Sequence, residues 1–352
     1  MKAKPPSGPF KPPARQDTFV FEATQRCNHD CPHCYNAWKN PVEYPMGELD
    51  TAATLKMLSR MLDETGAWLV TLSGGEPLLR PDLFDIIDYL CARGIAINLI
   101  SNGSLLDEKL VARLVPDRIA LFELPLLSVD RSIHDRMSGV PGAFDRVTMA
   151  MAELKAARQR VIGVFVATRL NLPTWRETFE LAVALGLDRI MFNRFNPGGT
   201  GMRNVELLQA SPAEITAALD LAETLIEEYE LPVTCSIPMP PCLFDTTRYK
   251  RLTFGFCAAG TERAYYTLDP LGNVRPCNHS PRILGNIREA TFAEIIKGQA
   301  MRDFFTARPL VCQGCRHELE CQGGCKAAAE AACGDACAAD PFLAAFGAKP
   351  IT

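Results

Sequence analysis

The stretch Cys27-Asn28-His29-Asp30-Cys31-Pro32-His33-Cys34 places three thiols within eight residues, separated by three residues and then by two. A tetrahedral structural zinc takes four nitrogen or sulfur ligands, so these cysteines alone fall one short. They suit a 4Fe-4S cluster in which protein thiolates hold three irons and the fourth stays open to another ligand. His29 or His33 would complete a Cys3His zinc site, so the spacing by itself leaves both metals open.

Working outward, short β-type runs rich in branched and aromatic residues alternate with helical patterns. The expected strands are Phe19–Ala23, Trp68–Leu72, Ile95–Ile100, Ile119–Leu124, Val161–Ala167 and Arg189–Phe192. Helices are expected near 50–64, 82–92, 107–114, 143–158, 174–185 and 212–229. Leu55, Leu58, Met61 and Leu62 form an apolar stripe at helical spacing in the first of these. Strand followed by helix, repeated, demands right-handed crossovers and a parallel sheet. An open doubly wound sheet and a partial barrel both satisfy the order.

In either fold, ligands gather where the strands end. The cysteine triplet follows the first strand and Ser73-Gly74-Gly75-Glu76-Pro77 follows the second. Ser101-Asn102-Gly103 follows the third, and Ser128-Val129-Asp130 lies at or just past the end of the fourth. The polar and glycine-rich residues therefore fall on one rim.

With 352 residues there is room for two domains or one large barrel with an appendage. A formal charge of -4 supplies no basic footprint for nucleic acid. No apolar run is long enough to span a bilayer, and the proline-rich start has no secretory core. The fourteen cysteines therefore point to metal or redox use in the cytoplasm rather than to disulfides. Residues 1–15 are expected to be a disordered arm. Composition shifts after Leu231, where Pro232–Cys242 carries four prolines. The boundary is drawn there, giving parts at 16–231 and 232–352. Ala264–Leu268 and Val274–Cys277 read as a hairpin about the turn at 269–273.

Taken together, Cys27-x3-Cys31-x2-Cys34 after strand one and Gly74-Gly75-Glu76-Pro77 after strand two resemble the radical S-adenosylmethionine superfamily, over roughly residues 18–230. The resemblance implies a partial (β/α)6 TIM-like barrel whose cofactor chelates the open iron through its methionine amino and carboxylate groups. Reductive cleavage would then give a 5′-deoxyadenosyl radical that abstracts hydrogen from a substrate. By the same resemblance Cys27, Cys31 and Cys34 hold the cluster, and Gly74, Gly75, Glu76 and Pro77 line the cofactor. Ser101, Asn102, Ser128 and Asp130 match positions that contact its ribose or methionine part. Glu76 is suited to accept from the methionine ammonium. His33 stands where many relatives carry an aromatic residue near the adenine.

The later cysteines follow the pattern Cys257-x14-Gly272-x4-Cys277, then Cys312-x2-Cys315-x5-Cys321-x3-Cys325, then Cys333 and Cys337. This resembles the SPASM domain, which implies two auxiliary iron–sulfur clusters of 4Fe-4S type. Cys257, Cys277 and Cys325 would hold the first, with Cys242 or Cys235 as a fourth ligand. Cys312, Cys315 and Cys321 would hold the second, completed by Cys337 or Cys333. Relatives often place that last cysteine just after an Asp-Pro pair, whereas here Asp340-Pro341 is followed by Phe342 and Leu343. A zinc-stabilised binding protein is the contrasting reading for these cysteines.

The family resemblance implies an enzyme that modifies a ribosomally made peptide, by crosslinking, epimerisation or rearrangement. Porphyrin side-chain modification is the alternative. The expected partners are the peptide (or a tetrapyrrole), a separate leader-peptide-binding protein and an electron donor such as flavodoxin or ferredoxin. Neither nucleic acid nor a membrane is expected.

Overall fold

The computed structural model describes residues 10, 13, 15–39, 44–114 and 119–347. Of the arm expected at 1–15, all but Phe10, Pro13 and Arg15 lies outside the described residues.

Among the described residues eleven strands form one sheet. The first six are β1 (Thr18–Thr24), β2 (Leu69–Gly74), β3 (Ala96–Ile100), β4 (Leu121–Pro125), β5 (Val161–Ala167) and β6 (Arg189–Arg194). They pair in parallel in chain order, as the partial barrel requires. β7 (Val233–Cys235) and β8 (Thr253–Phe254) extend that edge. On the opposite edge β9 (Thr267–Leu268) pairs in parallel with β1. β10 (Asn273–Arg275) and β11 (Gly285–Asn286) follow it antiparallel. The expected hairpin is therefore present as β9 and β10, and it is attached to the first strand of the barrel.

The crossover helices are α1 (Thr51–Thr65), α2 (Leu83–Ala92), α3 (Glu108–Leu114), α4 (Arg131–Ser138), α5 (Ala143–Ala156) and α6 (Trp175–Ala184). After a single turn, α7 (Val205–Leu208), comes the long α8 (Pro212–Tyr229). The last third carries α9 (Phe292–Lys297), α10 (Gln299–Thr306), α11 (Glu318–Cys321), α12 (Lys326–Cys333) and α13 (Pro341–Ala345). Local signals explain the boundaries. Asp50 caps α1 by accepting from the Ala53 N–H, and Gly66 ends it at φ 69°. Ser211 and Glu214 form a reciprocal capping box at the start of α8. Helix α4 escapes the periodicity reading because, of its buried residues His134, Met137 and Ser138, only Met137 is apolar.

A strand's side chains alternate between faces, and paired residues share a face. Val70, Leu72, Leu99, Phe122, Leu124 and Phe165 are fully buried under the helices. The opposite face carries Asn98 beside Thr71, Glu123 beside Ile100, and Asn193 beside Val166. Asn98, Glu123 and Asn193 are only half-buried, so this inner face lines open space. Among the described residues no helix is long and apolar enough to cross a membrane.

Candidate active site

The cysteine loop that leaves β1 is clamped from three sides. From β2, the Gly75 N–H donates to Thr24 O at 2.8 Å and the Glu76 N–H to Arg26 O at 2.8 Å. A Cβ on Gly75 would lie 2.1 Å from Arg26 O, so no larger residue fits. The close approach that this glycine permits is to the backbone entering the cysteine loop. From β6, the Gly201 N–H donates to Cys34 O at 3.0 Å and Asn204 Nδ2 to Pro32 O at 3.0 Å. Gly199 sits at φ +45°, where a Cβ would meet Asn36 O at 2.5 Å. From α4, Ser138 O accepts from the Cys31 thiol at 3.4 Å.

The three thiols lie close enough to act on one another. Burial raises Cys31 first, and the neighbouring Cys34 and Cys27 raise it further. Burial likewise pushes Cys27 and Cys34 up, opposed in part by Lys39. A metal inverts that balance, because a coordinating thiol is deprotonated outright. Lys39 Nζ donates to His29 O at 3.1 Å and keeps a positive charge beside the loop. His29 Nε2 and His33 Nδ1 are buried without a partner. Desolvation lowers both imidazoles to about 4, so they stay neutral near pH 7.

Glu76 is fully buried, and its carboxylate ties two strand ends together. It accepts from Ser101 Oγ at 2.9 Å, the Asn102 N–H at 2.7 Å and the Leu78 N–H at 3.1 Å. Burial still dominates and raises its pKa to about 7. Asn102 Nδ2 reaches the cysteine loop through Asn28 Oδ1 at 2.8 Å, and Asn36 Nδ2 reaches Gly74 O at 3.1 Å. Pro77 opens a short 3-10 turn behind Glu76. Ser128 and Asp130 are engaged within the rim itself. Ser128 Oγ is 2.8 Å from Thr174 Oγ1, and Asp130 caps α4 through the N–H groups of Ser132 and Ile133. His134 is fully buried on α4.

Inside the sheet, Glu22 of β1 forms a buried ion pair with Arg275 of β10. Arg275 also donates to Ser280 O at 2.9 Å, fixing the loop that carries Cys277. Tyr35, next to Cys34, stacks on His279 with ring centres 3.8 Å apart and an interplanar angle of 16°. Asn278 Nδ2 donates to the Tyr35 hydroxyl at 2.8 Å. Glu123 faces this region from β4, where burial raises its carboxyl to about 7. These inward residues were not found in the sequence, although strand register combined with polarity marks Glu22 and Glu123.

The later cysteines gather in two groups. Burial raises Cys277 to about 12, helped by neighbouring Cys325 and Cys257. Asn196 Nδ2 donates to Cys325 Sγ at 3.2 Å. The second group lines a cleft partly open to solvent and contains Cys312, Cys315, Cys321 and Cys242. Cys242, which the resemblance offers beside Cys235 as a fourth ligand for the first group, lies with the second. Cys333 and Cys337 are exposed, and Cys235 is buried in β7. Among the described residues no three His, Cys, Asp or Glu side chains converge on a single ion. A four-iron cluster has a different requirement, since each thiolate meets its own iron, and the triplet and the two groups supply such donors.

A buried pair joins these parts. Arg194, at the end of β6, meets Asp340 with Nη2 to Oδ2 at 2.5 Å. Asp340 also accepts from the Cys325 N–H at 2.8 Å.

Comparison with known proteins agrees with this arrangement. Residues 21–191 match the model of the radical SAM superfamily. Residues 257–321 match that of the SPASM iron–sulfur cluster-binding domain. An AdoMet-dependent heme synthase of Methanosarcina barkeri is 30% identical, covering 92% of this chain and 95% of that protein. A PqqA peptide cyclase of Methylocella silvestris is 29% identical, covering 92% and 86%. Among solved structures, Streptococcus suis SuiB bound to S-adenosylmethionine superposes with a TM-score of 0.68 at 16% identity, covering 89% of this chain and 74% of that one. The enzyme anSMEcpe with bound AdoMet gives 0.69 at 17% identity, covering 93% of each chain.

Proposed function

Because the chain belongs to the radical S-adenosylmethionine superfamily and carries a SPASM domain, we propose that it modifies a ribosomally made peptide. Bound on an iron–sulfur cluster, S-adenosylmethionine would supply radical hydrogen abstraction from a substrate carbon, and the protein would supply position and shielding. Cys27, Cys31 and Cys34 hold the cluster on the clamped loop. Gly74, Gly75, Glu76, Pro77, Ser101 and Asn102 form the wall against which the cofactor is oriented, with Ser128 and Asp130 further along the same rim. The catalytic part is residues 16–231 and the auxiliary-cluster part 232–352. An electron donor such as flavodoxin or ferredoxin and a separate leader-binding protein complete the cytoplasmic system.

The observation that carries the peptide reading is the charge of the inner face. Glu123 presents a carboxyl to it, while Arg275 and Arg194 are engaged by Glu22 and Asp340. An acidic, amide-lined surface suits peptide N–H donors better than the carboxylates of a porphyrin. The peptide cyclases among the relatives support the same choice. The similarity to a heme synthase supports tetrapyrrole modification as the second reading.

The test is 5′-deoxyadenosine release by anaerobically reconstituted protein under dithionite, followed by mass spectrometry of candidate peptides and porphyrins. The C27A/C31A/C34A variant should lose 5′-deoxyadenosine release and keep its auxiliary iron. If the variant still makes 5′-deoxyadenosine, the cluster assignment fails. If only a porphyrin changes mass, the peptide reading fails and the radical chemistry stands.

A further inference from the structure

Resting on the iron–sulfur reading above, we propose that Cys242 is the fourth thiolate of the second auxiliary cluster, and that Cys333 and Cys337 are not ligands. Four thiols line one cleft, from Cys242, Cys312, Cys315 and Cys321. They come from two separate parts of the chain. Cys312, Cys315 and Cys321 belong to one short segment ending in α11, whereas Cys242 arrives on the proline-rich loop after β7.

That loop is held where it is by contacts independent of any metal. Pro238 O accepts from Arg194 Nε at 3.0 Å, and the same guanidinium meets Asp340 at the start of α13. The Leu243 and Phe244 N–H groups both donate to Pro240 O at 3.0 Å, forming a tight turn around Cys242. Phe244 then packs on Phe342 of α13, with ring centres 5.5 Å apart. The loop and α13 thus close on the cleft together. What α13 contributes to the lining is Leu343, an apolar side chain two residues after Pro341. The C-terminal segment therefore offers a wall at this position, and the sulfur comes from the β7 side. Cys333 and Cys337 are exposed and do not line the cleft. Each ligating thiol enters as thiolate and releases one proton to solvent.

The experiment compares full-length wild type, Cys242→Ala and the double variant Cys333→Ala/Cys337→Ala, all reconstituted anaerobically. Iron and sulfide per chain are read together with the electron paramagnetic resonance spectrum. Wild type should hold about twelve irons if all three clusters are of the four-iron type. Cys242→Ala should lose from about one iron, with a three-iron signature, to about four, with loss of the second cluster. The double variant should match wild type in both readouts. A Cys242→Ala protein with wild-type iron and spectrum would overturn the assignment, and iron loss in the double variant would overturn the exclusion of the C-terminal pair.

Alkylation of wild type covers the case in which Cys242→Ala does not fold. In the loaded protein iodoacetamide should modify Cys333 and Cys337 and spare Cys242, which should react once a chelator removes the iron. Equal modification of Cys242 and Cys333 in loaded protein sinks the proposal. Wild type that takes up no iron at all would instead refute the iron–sulfur reading beneath it.

Discussion

Glu123 shows how much one inward side chain can decide. Burial is the cause of its raised pKa, from 4.5 to about 7, so its titration is simpler than that of Glu22 or Glu76. In the unfolded chain the carboxyl loses its proton first. Between those two values the folded state binds more protons, so this group makes stability fall as pH rises. Glu123→Gln should remove that contribution. The variant should gain stability relative to wild type between pH 5 and pH 7.5, read from urea midpoints at the two pH values. A difference between the two proteins that stays constant with pH would refute the argument. At this scale the sequence was legible where chemistry is written in spacing, as in the Cys27–Cys34 loop and the Gly-Gly-Glu run. It was silent on Tyr35 against His279 and on Cys242 beside Cys315. Those are meetings between distant segments, and no local pattern encodes them.

Among the elements, α13 carries consequences out of proportion to its five residues. Asp340 caps it through the Phe342 N–H and, by the same carboxylate, holds both Arg194 and the Cys325 backbone. Both members of the ion pair are fully buried. Removing the charge of one leaves the other uncompensated, which costs about 3–5 kcal/mol in such settings. Asp340→Asn should therefore lower the free energy of unfolding by about that amount. Denaturant titration checks this, and a loss within the range of surface substitutions would contradict it. Most crossover helices were legible because their apolar stripes and caps are local. Helix α4 was not, since its buried side chains include a histidine and a serine. Its last turn nevertheless supplies the carbonyl opposite Cys31.

For the whole molecule, the decisive feature is that one sheet runs from the barrel into the last third of the chain. The alternation of strand and helix made six parallel strands legible. Nothing in a local window announces that Thr267–Leu268 returns to lie beside Val20 and Phe21. A chain ending at residue 256 should keep the cysteine triplet and lose β9, β10 and β11. The bared edge of β1 is then a template for other chains. Such a fragment should elute as aggregate in size-exclusion chromatography, whereas the full chain elutes as a discrete species. A well-behaved, soluble fragment would mean that β1 does not need its second neighbour.

That pairing also orders events in time. Ribosomes release the N-terminus first, so β1 emerges early and must wait until its distant partner is made. Contacts of such long sequence separation form slowly, and segments awaiting them stay exposed to wrong pairing. The strand that leads into the first cysteine loop is thus made long before the segment that encloses it. Yield of intact protein should depend on whatever shelters that edge during translation.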